Sequence, residues 1–173
     1  RHEAGKMAAV LTRLLGFHSL DVAEDIVQDT LLQAMSTWKF KGIPENPSAW
    51  LYTVAKRKAI DTIRKQKIHE QHHSRINLVL KSEWTLGPTV NQLFLENEIE
   101  DAQLRMIYAC CHPSIPYESQ IALILRTLCG LSIAEIANCF LTTEETITKR
   151  LYRAREKIRH ENVTLETPAP AHL

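Results

Sequence analysis

Apolar positions recur at helical spacing along most of the chain. Residues 3–15 form a short apolar segment ended by Gly16. Leu20, Ala23, Val27, Leu31, Ala34 and Trp38 then follow at intervals of three and four and predict a helix over 20–38. Asp21, Asp25, Gln28 and Leu32 lie on a second, outward stripe of the same helix. The stretch Lys39-Phe40-Lys41-Gly42-Ile43-Pro44-Glu45 contains glycine and proline and reads as a loop. Asn46-Pro47 restarts the pattern, asparagine as cap and proline in the first helical position. The helix so opened extends to about residue 71, with Leu51, Ala55, Ala59 and Ile63 as its core ladder and Trp50, Arg57, Asp61 and Arg64 on another face.

Periodicity fades from residue 72 to 96, a stretch containing Gly87-Pro88, which reads as a linker with a short helical turn near 90–95. Beyond it, Leu104, Ile107, Tyr108 and Cys111 form one predicted stripe, and Ile121, Ile124, Leu125 and Leu128 the next. Ser132 and Glu135 have the spacing of a capping box ahead of Ile133, Ile136, Ala137 and Phe140. After the break Leu141-Thr142-Thr143, Thr143 can cap a second helix in which Ile147, Leu151, Ala154 and Ile158 face inward. Lys149, Arg150, Arg153, Arg155, Lys157 and Arg159 are assigned to its opposite face. A short helix, a tight turn and a basic second helix is the geometry that enters a DNA major groove. The expected fold is all-α: two small helical domains at 1–71 and 99–161, a linker at 72–98, and a tail at 162–173.

Charge sharpens this picture. The net charge is only +1 over 173 residues, but Asp21, Glu24, Asp25 and Asp29 make an acidic block, whereas Lys56, Arg57, Lys58, Arg64, Lys65 and Lys67 make a basic one. Segregated blocks imply separate partners for separate faces, nucleic acid for the basic ones. At 45% hydrophobic residues the chain can pack a core. No apolar run approaches the ~20 residues of a membrane span, and no signal peptide is evident, so a cytoplasmic location without membrane contact is expected. Cys110, Cys111, Cys129 and Cys139 fall within apolar stripes and read as reduced core residues. Cys110-Cys111-His112 lacks a second pair at zinc spacing, and His69, His72 and His73 read as solvated, so neither metal nor cofactor is assigned. With no phosphate loop or nucleophile elbow, no enzyme is expected. The first residue is Arg1, and residues 166–171 resemble a linker that would lead into a further segment.

Three stretches carry a resemblance: Ala23-Glu24-Asp25-Ile26-Val27-Gln28-Asp29; Trp50-Leu51-Tyr52-Thr53-Val54-Ala55-Lys56-Arg57-Lys58-Ala59-Ile60-Asp61-Thr62-Ile63-Arg64-Lys65; and the helix-turn-helix. In order and spacing they resemble region two and region four of an extracytoplasmic-function (ECF) sigma factor of bacterial RNA polymerase, over nearly the whole chain. Residues 101–113, with Phe140-Leu141, resemble the subgroup that often carries a C-terminal helical-repeat extension. Lys58 stands where many members have asparagine, at a position associated with base contact.

The resemblance implies a function for each patch. Asp21, Glu24, Asp25, Gln28, Asp29 and Leu32 would grip the clamp helices of the largest polymerase subunit. Lys39, Lys41, Asn46, Trp50, Lys56, Arg57, Lys58, Arg64 and Lys65 would read and melt the minus-ten element, the loop holding a flipped base and the basic residues meeting phosphates. A core role competes for Trp50, and an i, i+4 pair with Arg57 is assigned to Asp61. Glu144, Glu145, Thr148 and Lys149 would face minus-35 bases, with Arg150, Arg153 and Arg155 on phosphates or on the flap of the second-largest subunit. Implied partners are core RNA polymerase, promoter DNA, and an anti-sigma factor or fused C-terminal regulatory extension. The competing reading is a helix-turn-helix regulator that binds an operator as a dimer; it would leave the acidic first-half helix unexplained.

Overall fold

The computed structural model describes residues 1–70, 83–161, 163 and 165; side chains are described for 1–65, 86–161, 163 and 165. The regular elements among the described residues are all helical. They are α1 (His2–Leu15), a 3-10 turn (Phe17–Ser19), α2 (Leu20–Lys41), α3 (Pro47–Glu70), α4 (Glu83–Leu93), α5 (Glu96–Cys110), α6 (Tyr117–Thr127), α7 (Ile133–Cys139) and α8 (Glu144–His160).

The first helix is the centre of the molecule. Met7, Ala8, Ala9, Val10, Leu11 and Thr12 are consecutive and all buried. A helix covered on every side lies between layers rather than on the surface. On one side α1 packs on α2 and α3; on another it packs along α5. Gly5, Ala8 and Ala9 of α1 and Ala102 and Ala109 of α5 are small and buried, which lets helix axes approach. Arg13 reinforces this packing, 2.8 Å from Glu98 and 3.1 Å from Asp101. The two helical domains pack against each other, and one apolar core runs from Met7 through Ile158. Each half alone would bury little surface, and docking them enlarges the shared core.

Several sequence expectations need correction. α2 runs to Lys41, so Lys39, Phe40 and Lys41 are helical; Gly42, at φ 80°, ends it and its amide N–H donates to the Trp38 carbonyl. The linker region holds α4, and Gly87-Pro88 lies inside that helix. Leu86 and Val90 are 2% and 0% exposed, and this i, i+4 burial outweighs the helix-breaking tendency of proline. Residues 71–82 lie outside the described residues, as does nearly all of the tail, although Val163 is buried.

α5 buries a different face from the one its apolar spacing predicts. Leu104, Ile107 and Cys111 are exposed, and the buried stripe is Ile99, Ala102, Met106, Ala109 and Cys110. The stripe of α6 shifts likewise to Ser119, Ala122, Leu123 and Thr127, with Ile121, Ile124, Leu125 and Leu128 half-buried. Both buried stripes mix small and large residues: Ala102 and Ala109 with Ile99 and Met106 in α5, and Ala122 with Leu123 in α6. Of the four cysteines only Cys110 is buried.

Candidate nucleic-acid interface

The helix-turn-helix is assembled by its caps. Ser132 Oγ accepts from the Glu135 amide at 3.2 Å, and Glu135 Oε2 accepts from the Ser132 amide at 2.8 Å. The Ser132 backbone bond, the Ser132 hydroxyl and Arg1 together hold the Glu135 carboxyl down at about 2. The turn places Leu141 at φ 50°, a left-handed conformation that strains a branched side chain, and leaves that side chain 94% exposed. Thr143 Oγ1 then caps α8 by accepting from the Thr146 amide at 3.3 Å. Ile147, Leu151, Ala154 and Ile158 are buried as the spacing predicted.

This anchoring turns Glu144, Glu145, Thr148 and Lys149 outward in the first turns of α8. Lys149 lies 2.7 Å from Glu145, and Thr148 Oγ1 donates to the Glu144 carbonyl at 2.8 Å. The remaining basic residues do not share one face. Arg150 pairs with Glu118 and covers the Phe140 ring, 5.5 Å from its centroid. Arg153 projects to solvent without an ion pair among the described residues. Arg155 and Arg159 turn back to the first half of the chain and pair with Asp21, and Arg155 also with Glu24. Arg155 is thus not free for DNA in this conformation.

On α3, Arg57, Arg64 and Lys65 are exposed. The expected Arg57–Asp61 pair does not form, consistent with the small stabilisation that an exposed i, i+4 pair offers. Lys56 lies over the Phe94 ring, 5.2 Å from its centroid, and partial burial lowers its pKa. Lys58 bridges to Asp29 of α2 at 3.6 Å. Trp50 is half-buried and meets Trp38 edge to face. Asn46 Oδ1 accepts from the Ala49 amide at 3.0 Å, so its side chain is engaged as the helix cap. Beside these residues, Phe40 and Ile43 are 84% and 72% exposed. They were missed; the signal was two apolar residues amid lysines, glycine and proline, where no core can use them.

The acidic helix divides into two faces. Asp25, Gln28 and Leu32 are exposed together, and Met35, also missed, extends this strip at 71% exposure. Asp29 borders it. Asp21 and Glu24 point instead toward α8. Among the described residues no three His, Cys, Asp or Glu side chains are grouped to hold a metal ion, and no helix is long and apolar enough to cross a membrane. The side chains of His69, His72 and His73 lie outside the described residues.

Residues 1–68 match the Sigma-70 region 2 family and residues 105–158 match Sigma-70, region 4. An uncharacterised protein of Rhizobium meliloti (strain 1021) is 31% identical over 157 residues, covering 88% of this chain and 36% of that protein. The RNA polymerase sigma factor SigV of Bacillus subtilis (strain 168) is 30% identical over 140 residues, covering 80% of this chain and 75% of that one. The chain thus spans about a third of the Rhizobium relative. With region 2 on α1–α3, region 4 on the capped helix-turn-helix, and a sigma factor matched along most of its length, the chain belongs to the sigma-70 family of RNA polymerase sigma factors and is of the ECF type.

Proposed function

We propose that this protein is a promoter-specificity subunit of bacterial RNA polymerase, acting in the cytoplasm and without catalysis of its own. The observation that carries the reading is three exposed surfaces of different chemistry on one chain. The strip Asp25, Gln28, Asp29, Leu32 and Met35 on α2 is acidic and apolar, suited to the basic clamp helices of the largest subunit. Arg57, Arg64 and Lys65 on α3 are suited to the backbone of the minus-ten element. Phe40 and Ile43, with Lys39 and Lys41, are suited to a base turned out of the stack. Glu144, Glu145, Thr148 and Lys149 are suited to base edges of the minus-35 element, and Arg153 to phosphate. Trp50 supports the second surface from within rather than reading a base. Residues 1–71 and 99–161 are the functional regions, with 72–98 between them. Regulation by an anti-sigma factor or by a C-terminal extension belongs to the same reading.

The test is retention of the chain by core RNA polymerase, followed by run-off transcription from a genomic promoter library. Promoter-selective transcripts that depend on the chain are expected. DNA binding without polymerase retention would instead favour the operator-binding regulator.

A further inference from the structure

The turn between α7 and α8 carries a leucine where its backbone suits glycine. The Leu141 amide donates to the Asn138 carbonyl at 3.2 Å, and the Thr142 amide donates to the Ala137 carbonyl at 2.9 Å. These two bonds close α7 as a Schellman motif, whose left-handed residue is usually glycine. Leu141 takes that place at φ 50°, a conformation that strains an L side chain and spares glycine. The side chain contributes nothing to the core. At 94% it is more exposed than any other large apolar residue among those described. It therefore does not pack back onto α7, as an apolar residue at such a cap often does. Its neighbour Phe140, by contrast, is covered by the Arg150 guanidinium.

Strain and exposure in one residue point to a contact outside the fold. Leu141 lies two residues before Thr143, the cap of α8, so their Cα atoms are at most about 7 Å apart. The exposed side chains that follow, Thr143, Glu144, Glu145, Thr148 and Lys149, are all polar. A helix that enters the major groove by this end brings the preceding turn to the edge of the groove. The apolar group that base edges display there is the C5-methyl of thymine. Thr148, whose hydroxyl is turned back to the Glu144 carbonyl, offers the other methyl-bearing side chain on this surface.

We propose that Leu141 is a specificity-determining residue of the helix-turn-helix, packing on the methyl group of a thymine at the edge of the duplex segment that α8 reads. This rests on the functional reading above in one respect, that α8 enters DNA. The commitment to DNA follows from position. The turn leads directly into the groove-facing end of α8, and the exposed side chains that follow it carry charges and hydroxyls rather than the contiguous apolar patch that a protein partner covers. Removing the side chain relieves strain in the fold and deletes a contact in the complex. Stability and specificity therefore move in opposite directions, whereas a packing role would lower stability.

The experiment titrates holoenzyme carrying the full chain against duplexes of the upstream element selected from the promoter library. Each thymine is replaced in turn by deoxyuridine, which lacks only the methyl group. Leu141→Gly and Thr148→Ser are compared with the wild type, and urea denaturation followed by circular dichroism gives the stability of each. Should Leu141→Gly lose helix content, Leu141→Ala decides. The wild type is expected to lose about fourfold in affinity at one thymine, the weight of one buried methyl-sized group. Leu141→Gly is expected to bind the thymine and deoxyuridine duplexes alike, with a urea midpoint at or above that of the wild type. A selected element without a preferred thymine, no response to deoxyuridine, or a response that survives Leu141→Gly would overturn the proposal. A response lost only in Thr148→Ser would assign the methyl contact to Thr148 instead. With polymerase retention intact, those outcomes leave the functional reading standing. If core polymerase does not retain the chain, the same duplex series on the free chain decides for Leu141, and the functional reading alone falls. A chain that binds neither polymerase nor duplex overturns both.

Discussion

Trp38 of α2 and Trp50 of α3 meet edge to face, their ring centroids 5.4 Å apart at an interplanar angle of 63°. α2 and α3 are thereby joined beside the loop between them. An edge-to-face pair adds about 0.5–1.5 kcal/mol beyond the area it buries.

Trp50→Ala should therefore destabilise the chain. A fully buried tryptophan costs about 3–5 kcal/mol when truncated, and Trp50 is half-buried, so about 2 kcal/mol is expected. Trp50→Phe keeps an aromatic edge and should cost less. Urea denaturation followed by circular dichroism measures both. A Trp50→Ala chain with wild-type stability but weakened minus-ten DNA binding would reassign Trp50 from packing to base contact.

Charge reversal at Asp25 should weaken polymerase binding without disturbing the fold. Asp25 is exposed and makes no ion pair among the described residues, so no internal contact is lost. Like charges opposed across an interface cost several kcal/mol, and a loss of at least about tenfold in affinity is expected for Asp25→Arg. Asp29→Arg should act in the same direction but also repel Lys58. Titration against core polymerase, with circular dichroism as the control, checks this; unchanged affinity would remove the strip from the interface.

Successive turns of α8 should fail differently. Lys149→Ala should change which minus-35 sequences are used, at about 1–3 kcal/mol for one base position. It also releases Glu145 from its ion pair. Arg153→Ala should weaken all sequences alike and reduce the slope of log affinity against log salt by about one. Holoenzyme titrated against promoter variants at several salt concentrations separates the two. The reverse pattern would mean that α8 enters the groove by another edge.

Acid should loosen the helix-turn-helix before it unfolds the core. The Glu135 carboxyl is held down at about 2 by the Ser132 backbone and hydroxyl and by Arg1. A depressed carboxylate contributes stability above its ordinary range, and that contribution fades as pH falls from there through about 2. NMR titration of the Glu135 carboxyl should return this low value, and Ser132→Ala should move it upward. A Glu135 that titrates in the ordinary range would show that the reciprocal cap is not closed in solution.

The cysteines should separate by reactivity. Burial pushes the Cys110 thiol up and keeps it protonated, whereas Cys111, Cys129 and Cys139 are exposed. Alkylation of the native chain followed by mass spectrometry should modify those three and spare Cys110 until denaturant is added. Rapid native labelling of Cys110 would place it outside the core.

Much of this protein is determined locally and is readable from sequence. The capping box at Ser132 and Glu135, the Thr143 cap, the Asn46-Pro47 start and the inward ladders of α3 and α8 depend on neighbours within four residues. The outward first turns of α8 follow from the same periodicity. What periodicity cannot decide is which side of a helix meets another helix distant in sequence. Docking against α1 decides it in α5, which buries Ile99, Ala102, Met106 and Ala109 and leaves Leu104 and Ile107 outside. Burial of Leu86 and Val90 against the rest of the fold likewise turns an apparent Gly-Pro break into α4. The partner of an arginine is equally a tertiary matter. Arg153 and Arg155 are two residues apart on one basic helix, yet one faces solvent and the other reaches Glu24, 131 positions away, because the fold sets the start of α2 beside the end of α8.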